Sequence, residues 1–175
     1  MTRLIPEKLV NFMAWGGGGA TAFLGMTDAE LPAFSPMTEK VAGAGIAGEY
    51  DSPVIGHFGS QSVKLKFRTT TVEAMALLRP IQHDIDLRGS VQVTDSALGT
   101  LTTVAVRVNV RGQVKGLEPG KFEPGKPMDT SAEIEVAYLK IWIAGVEMVE
   151  LDKFNMVFKV NGVDYLASVR GDTGL

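Results

Sequence analysis

The carboxylates of this chain recur in pairs two residues apart: Asp84 with Asp86, Glu133 with Glu135, and Glu150 with Asp152. On a strand that spacing sets both carboxyls on one face about 7 Å apart, within the range of an inverting glycosidase pair. Any charged, solvated strand face gives the same pattern, and no aromatic sugar platform is concentrated beside a pair. The solvated face is therefore preferred, and a small β-barrel glycoside hydrolase using Glu133 and Glu135 is the alternative from another functional class. Gly43, Gly45 and Gly48 satisfy G-x-G-x-x-G, but a dinucleotide site needs a strand before it and a helix after it. Pro53 and the proline-rich approach deny that helix, and no G-K-[ST] follows to make a phosphate loop. His57 and His83 lack metal-ligand spacing and are read as packing or surface residues. Ser60, Ser62, Ser90 and Ser96 lack a nucleophile-elbow sequence. No catalytic residue, metal or cofactor is expected. Lys64, Lys66 and Arg68 form a basic stripe without interleaved aromatics, which reads better as a solvated or subunit-facing strand edge than as a nucleic-acid surface.

The bulk properties agree. At 175 residues the chain suits one domain with a substantial core, spanning 1–175. The absence of cysteine removes disulfides, thiolate metal sites and thiol nucleophiles, which fits a reducing compartment. A net charge of −3 supplies no global basic field for phosphates. Residues 12–27 are uncharged, yet Gly16 to Gly19 interrupt them and the apolar residues are too few for a membrane span. No secretory leader is expected behind Arg3, because Glu7, Lys8 and Asn11 intervene. The mean hydropathy of +0.13 suggests apolar surface covered by sister subunits.

Residues 9–15 and 20–26 flank the glycine run and predict a hairpin. Residues 27–53 show no sustained period and read as a long, arm-like loop. Val63, Leu65 and Phe67 then alternate with Lys64, Lys66 and Arg68, which marks a half-buried strand. Thr70 and Glu73 predict a capping box for one short helix. Val72, Met75 and Ala76 form its stripe, Leu77 and Leu78 widen it, and Arg79-Pro80 stops it. The longest predicted hairpin pairs residues 84–94 with 104–111. A turn near Ala97 would put Asp84 opposite Arg111. Residues 116–130 repeat Glu-Pro-Gly-Lys and read as an extended surface loop. Residues 133–143 predict a strand, Ala144-Gly145 a turn, and 146–160 the return strand. Asn161-Gly162 is a type I′ turn signal, and 163–169 predicts the closing strand. Trp15 and Trp142 are expected as core anchors. The count favours a mainly β domain, an antiparallel β-sandwich or partly open barrel with one short α-helix.

The stretch from residue 147 to 175 also resembles the carboxyl end of the major tail tube protein of contractile-tailed bacteriophages. The likeness runs through Glu147, Val149, Glu150, Asp152, Asn155, Met156, Lys159 to Asp164, and Gly174-Leu175. Leu31-Pro32, the glycines of 42–48 and the charged loop at 116–130 also have family counterparts. The amino end departs from the family at its four-glycine run. The resemblance implies a non-enzymatic subunit of hexameric rings, stacked into a tube through which DNA leaves the virion. It implies partners: identical copies, the tail sheath protein, the tape-measure protein and, transiently, DNA, with no membrane insertion of the subunit. It places the protein in the virion tail, assembled in the host bacterial cytoplasm. The tube of a phage-tail-like bacteriocin or another contractile injection system fits equally. In this reading Glu133, Glu135, Glu150 and Asp152 are lumen candidates, since an acidic wall repels phosphates. Gly43, Gly45, Gly48, Lys64, Lys66, Arg68, Glu118, Pro119, Gly120 and Lys121 are the stacking or subunit-interface candidates.

Overall fold

A computed structural model describes residues 3–17 and 22–175. Twelve strands and two helices follow one another in the order β1 (Leu4–Gly16), β2 (Ala22–Phe23), β3 (Met26–Glu30), β4 (Pro36–Ala42), β5 (Glu49–Phe58), β6 (Ser62–Phe67), α1 (Val72–Ala76), β7 (His83–Asp95), β8 (Leu101–Glu118), β9 (Thr130–Ile143), β10 (Val146–Asp152), β11 (Val157–Val160), β12 (Val163–Asp164) and α2 (Ala167–Thr173). Ten strands form one antiparallel sheet: eight run in the order β12-β11-β10-β9-β8-β7-β1-β2, and β6 and β3 branch from that path. One side of β9 pairs with β8 throughout, while its other side pairs first with β6 and then with β10. Beyond β6 lies β3, so the sheet forks at β9.

The fork curls the sheet onto itself. Val63, Leu65 and Phe67, the dry face predicted for β6, meet Ile85, Leu87, Val108 and Val110 in one core with Ile134 and Leu139. The strictly alternating sequence makes this possible, since every second side chain of each strand turns inward. The predicted Asp84–Arg111 register is present: the two residues are cross-strand partners and their side chains approach to 3.4 Å. Ala144-Gly145 and Asn161-Gly162 all take positive φ, as tight hairpin turns of the primed type require.

Several expectations are corrected. The stretch 27–53 is structured: it contains β3, and β4 pairs with β5 to make a separate two-stranded hairpin. The expected amino-terminal hairpin is reduced to two pairs, Trp15 with Phe23 and Gly16 with Ala22, and its tip at Gly18 and Gly19 lies outside the described residues. Thr71, not Thr70, caps α1, accepting from the Ala74 amide. Ala74 and Leu77 enter the core while Val72 stays exposed. Strand β8 runs on to Glu118, which shortens the loop to 119–129. The return strand breaks at 153–156, where Asp152 accepts from the Phe154 and Asn155 amides and turns the chain into β11. The stretch 163–169 is not a strand beyond Asp164. It becomes a second helix, tied down by Arg170, which donates to Asp164 at 2.6 Å and to the Met156 carbonyl at 2.7 Å.

Candidate assembly interface

Opposite the core, the sheet presents a continuous polar face. One row of cross-strand partners reads Asp164, Lys159, Glu150, Lys140, Asn109, Asp86 and Trp15, one residue from each strand between β12 and β1. Opposite charges directly across a ladder attract, so the row zips the strands in register. Glu150 accepts from Lys159 at 2.9 Å, Tyr138 at 3.0 Å and Lys140 at 3.4 Å. Burial alone would raise the Glu150 pKa, but these donors outweigh burial and leave it below the ordinary carboxylate value. Burial and the Glu150 hydrogen bond together push Tyr138 up to about 12. Burial works against the charge of Lys140, yet Glu147 and Glu150 raise its pKa. Within this row, the buried Asp86 holds Arg88 and Arg107 at 2.6 Å each. Arg107 lies over Trp142 at 4.7 Å and Arg111 over Tyr138 at 4.5 Å.

All four acids proposed for a lumen stand on this face, but none is a bare charge. Lys115 bridges Glu133 at 3.7 Å and Glu135 at 3.4 Å. A hydrogen bond from Ser62 lowers the Glu133 pKa. Burial opposes ionisation of Glu135, but Ser60, the Gln61 amide, Lys115 and Lys153 prevail and lower it too. A glycosidase pair needs one carboxyl raised to hold its proton, and here both are lowered. Asp152 spends both oxygens on the turn it caps.

The basic stripe is not an edge. Strand β6 is paired on both sides, by β3 and by β9. Lys66 bonds Asp28 at 3.1 Å and Glu30 at 2.6 Å, which raises its pKa through those hydrogen bonds. Lys64 faces Glu133 across the ladder, and Arg68 lies one residue beyond the strand. A long edge is instead left largely unpaired on β1 among the described residues, where β2 covers only Trp15 and Gly16. Leu4, Ile5, Leu9, Val10 and Met13 are exposed along that edge. Exposed apolar strand edges are a template for pairing with another chain.

Gly43, Gly45 and Gly48 sit together at the tip of the β4–β5 hairpin, each at positive φ. This hairpin is an arm: its strands pack substantially only on each other. At its base the register jumps from Pro36–Phe58 to Thr38–Pro53, so 54–57 bulge outward. Gly56 allows the bulge at φ +67, and a Cβ there would lie 2.7 Å from the Leu166 side chain. Phe58 packs edge-on against Phe34 and Phe158. Between the arm base and β10–β11 a cleft of about 510 Å³ opens, lined almost wholly by apolar side chains.

In the other candidate loop, Glu118 belongs to β8 and Pro119 anchors. The Pro119 carbonyl accepts from Thr70 at 2.8 Å and Thr130 at 2.9 Å. Gly120 turns at positive φ, and the Lys121 amide closes the loop on Met128. The side chain left projecting is Phe122, 92 % exposed, which sequence reasoning missed. An apolar residue between two charged Glu-Pro-Gly-Lys repeats was the available signal. Neither tryptophan is a core anchor: Trp142 lies on the polar face between Arg107 and Lys140, and Trp15 ends the polar row and packs edge-on against Phe23.

A largely free β1 edge, a projecting arm and a curled antiparallel sheet define a β subunit with surfaces left open. The family profile described as "Phage tail tube protein FII" matches residues 6–174. The tail tube protein of Escherichia phage P2 is 30 % identical over 159 residues, 83 % of this chain and 84 % of the relative. A solved extracellular contractile injection system, PVC sheath/tube terminator in extended state, is similar with a TM-score of 0.56 at 14 % identity. That match covers 78 % of this chain and 96 % of the other. The chain therefore belongs to the phage tail tube protein FII family, as the carboxyl-terminal motif implied, and is a structural component of the contractile phage tail.

Proposed function

We propose that this protein is the inner-tube subunit of a contractile tail, one domain across 1–175 with no chemistry of its own. Copies close into hexameric rings, and rings stack into a hollow conduit for DNA. The observation that carries this reading is the unpaired apolar edge of β1 together with the self-packed arm, both of which a neighbouring copy would complete. An isolated two-stranded hairpin is at best marginally stable in water, so the arm gains by docking on another subunit. Ring closure is a heterologous contact that removes edges, and stacking is a second one that stays open.

The polar sheet face bearing Glu133, Glu135, Glu150 and Asp152 lines the bore in this reading. Its acids and bases are interleaved, so passing DNA meets a nearly neutral wall that neither holds nor strongly repels it. Outside lies the tail sheath protein, and inside the tape-measure protein before ejection. Assembly takes place in the host cytoplasm, where a chain without cysteine has no thiols to protect. Negative-stain microscopy of the purified protein tests the proposal. Annuli and hollow rods support it, and a field of single globules at every concentration contradicts it.

A further inference from the structure

Phe122 is almost fully exposed among the described residues, although its loop is firmly braced. Thr70 and Thr130 hold Pro119, the Lys121 amide donates to Met128, and the Met128 amide donates to the Arg68 carbonyl at 2.9 Å. An apolar ring is thus held out in water by an ordered frame. The cleft at the arm base is its counterpart: an unfilled hollow lined by Phe34, Val54, Ile55, Phe158, Val160 and Tyr165. Its volume of about 510 Å³ falls among the pockets that admit sizeable apolar groups.

Knob and hollow lie toward opposite ends of β9. Ser131, beside the loop base, pairs with Glu118, whereas Ile141 pairs with Val149 at the cleft. At about 3.4 Å per residue these points are about 34 Å apart along the strand. The knob therefore cannot fill the hollow of its own subunit. The flanking charges are complementary. Lys121 and Lys126 share the single acid Glu123, which leaves the knob loop's tip with a positive excess. On the arm, Lys40 bonds Glu49, while Glu39 and Asp51 form no ion pair among the described residues.

We propose that Phe122 of one copy seats in the arm-base cleft of a second copy, with Lys121 and Lys126 approaching Asp51, which shares the face of the arm that carries the cleft-lining Pro53. This rests on the tube reading and names the residues of its stacking contact. Two different patches at opposite ends of one molecule make a heterologous contact that propagates and does not close on a pair.

The lack of native cysteine makes the test clean. Phe122→Cys and Val54→Cys are introduced together, assembled particles are oxidised, and the products are run on a non-reducing gel beside a microscope grid. A ladder extending beyond dimers, absent from either single variant, supports the contact. Rods on the grid with no ladder on the gel overturn it while leaving the tube reading intact. Failure of the unmodified protein to form rings or rods is the separate result that removes the tube reading itself. As a second variant, Phe122→Ser removes an exposed side chain and should keep the fold and the rings. It should raise the concentration needed for rods about tenfold or more. Rods at the unaltered concentration would overturn the contact and assign Phe122 to another surface, such as one facing the sheath.

Discussion

Replacing Glu150 with glutamine tests whether the polar face binds the sheet together as described. Glu150 is the shared acceptor of Lys159, Tyr138 and Lys140, and its side chain is 14 % exposed. Hydrogen bonds to charged groups are each worth about 1.5–3 kcal/mol in net terms. Glutamine keeps one acceptor oxygen, and Lys159 is exposed enough to recover water, so the expected loss is about 1–3 kcal/mol at neutral pH. For a chain of this size that lowers Tm by roughly 2–12 °C. The pH dependence gives the sharper test. The folded Glu150 pKa lies below its ordinary value, so its contribution is complete above that value, about 4.5, and fades as pH falls through the folded value. Lys140 and Lys159 have raised pKa values, so their side of the interaction persists below about 10.5 and fades as pH rises through the folded values. Urea denaturation of both proteins between pH 3 and 8 should show a gap that is constant near neutrality and shrinks in acid. A gap unchanged down to the lowest pH would refute the ion-pair account.

Two further substitutions probe assembly. Val10 lies on the β1 edge at a point that the β1–β7 ladder skips, so Val10→Lys should leave Tm within about 1–2 °C while preventing ring closure, seen as monomer in analytical ultracentrifugation. Gly56→Ala puts a Cβ on Leu166 at a positive φ, so it should misdirect the arm and leave rings without rods, with faster hydrogen exchange confined to β4 and β5 by mass spectrometry.

The parts of the fold visible in the sequence were those governed by local rules. Period-two alternation and a turn near Ala97 sufficed to pair Asp84 with Arg111, and Asn161-Gly162 specified its own turn. Other parts depend on contacts distant in the chain. The residues of α2 look strand-compatible, and the helix holds because Arg170 reaches Asp164 and Met156, with Gly174 closing its end at φ +80. The break before β11 lacks glycine or proline. Its signal was Asp152 followed by Asn155, an acid able to cap a turn. Strand β6 was read as an edge because alternation reports one wet face but says nothing about partners on either side. The candidate acids were found by type, whereas their neutralisation by Lys115, Lys140 and Lys159 required register. Pro36 and Pro53 hid the arm, since they suggest a loop until the glycine tip between them is seen to return the chain.

If identical copies complete this sheet, a cryo-EM reconstruction of assembled rods will reveal the join. The expected density has β1, over Leu4 to Met13, hydrogen-bonded to a strand of the adjacent subunit in the same ring, with the polar face toward the bore. Rods in which that edge is left in solvent and rings touch by other surfaces would contradict it.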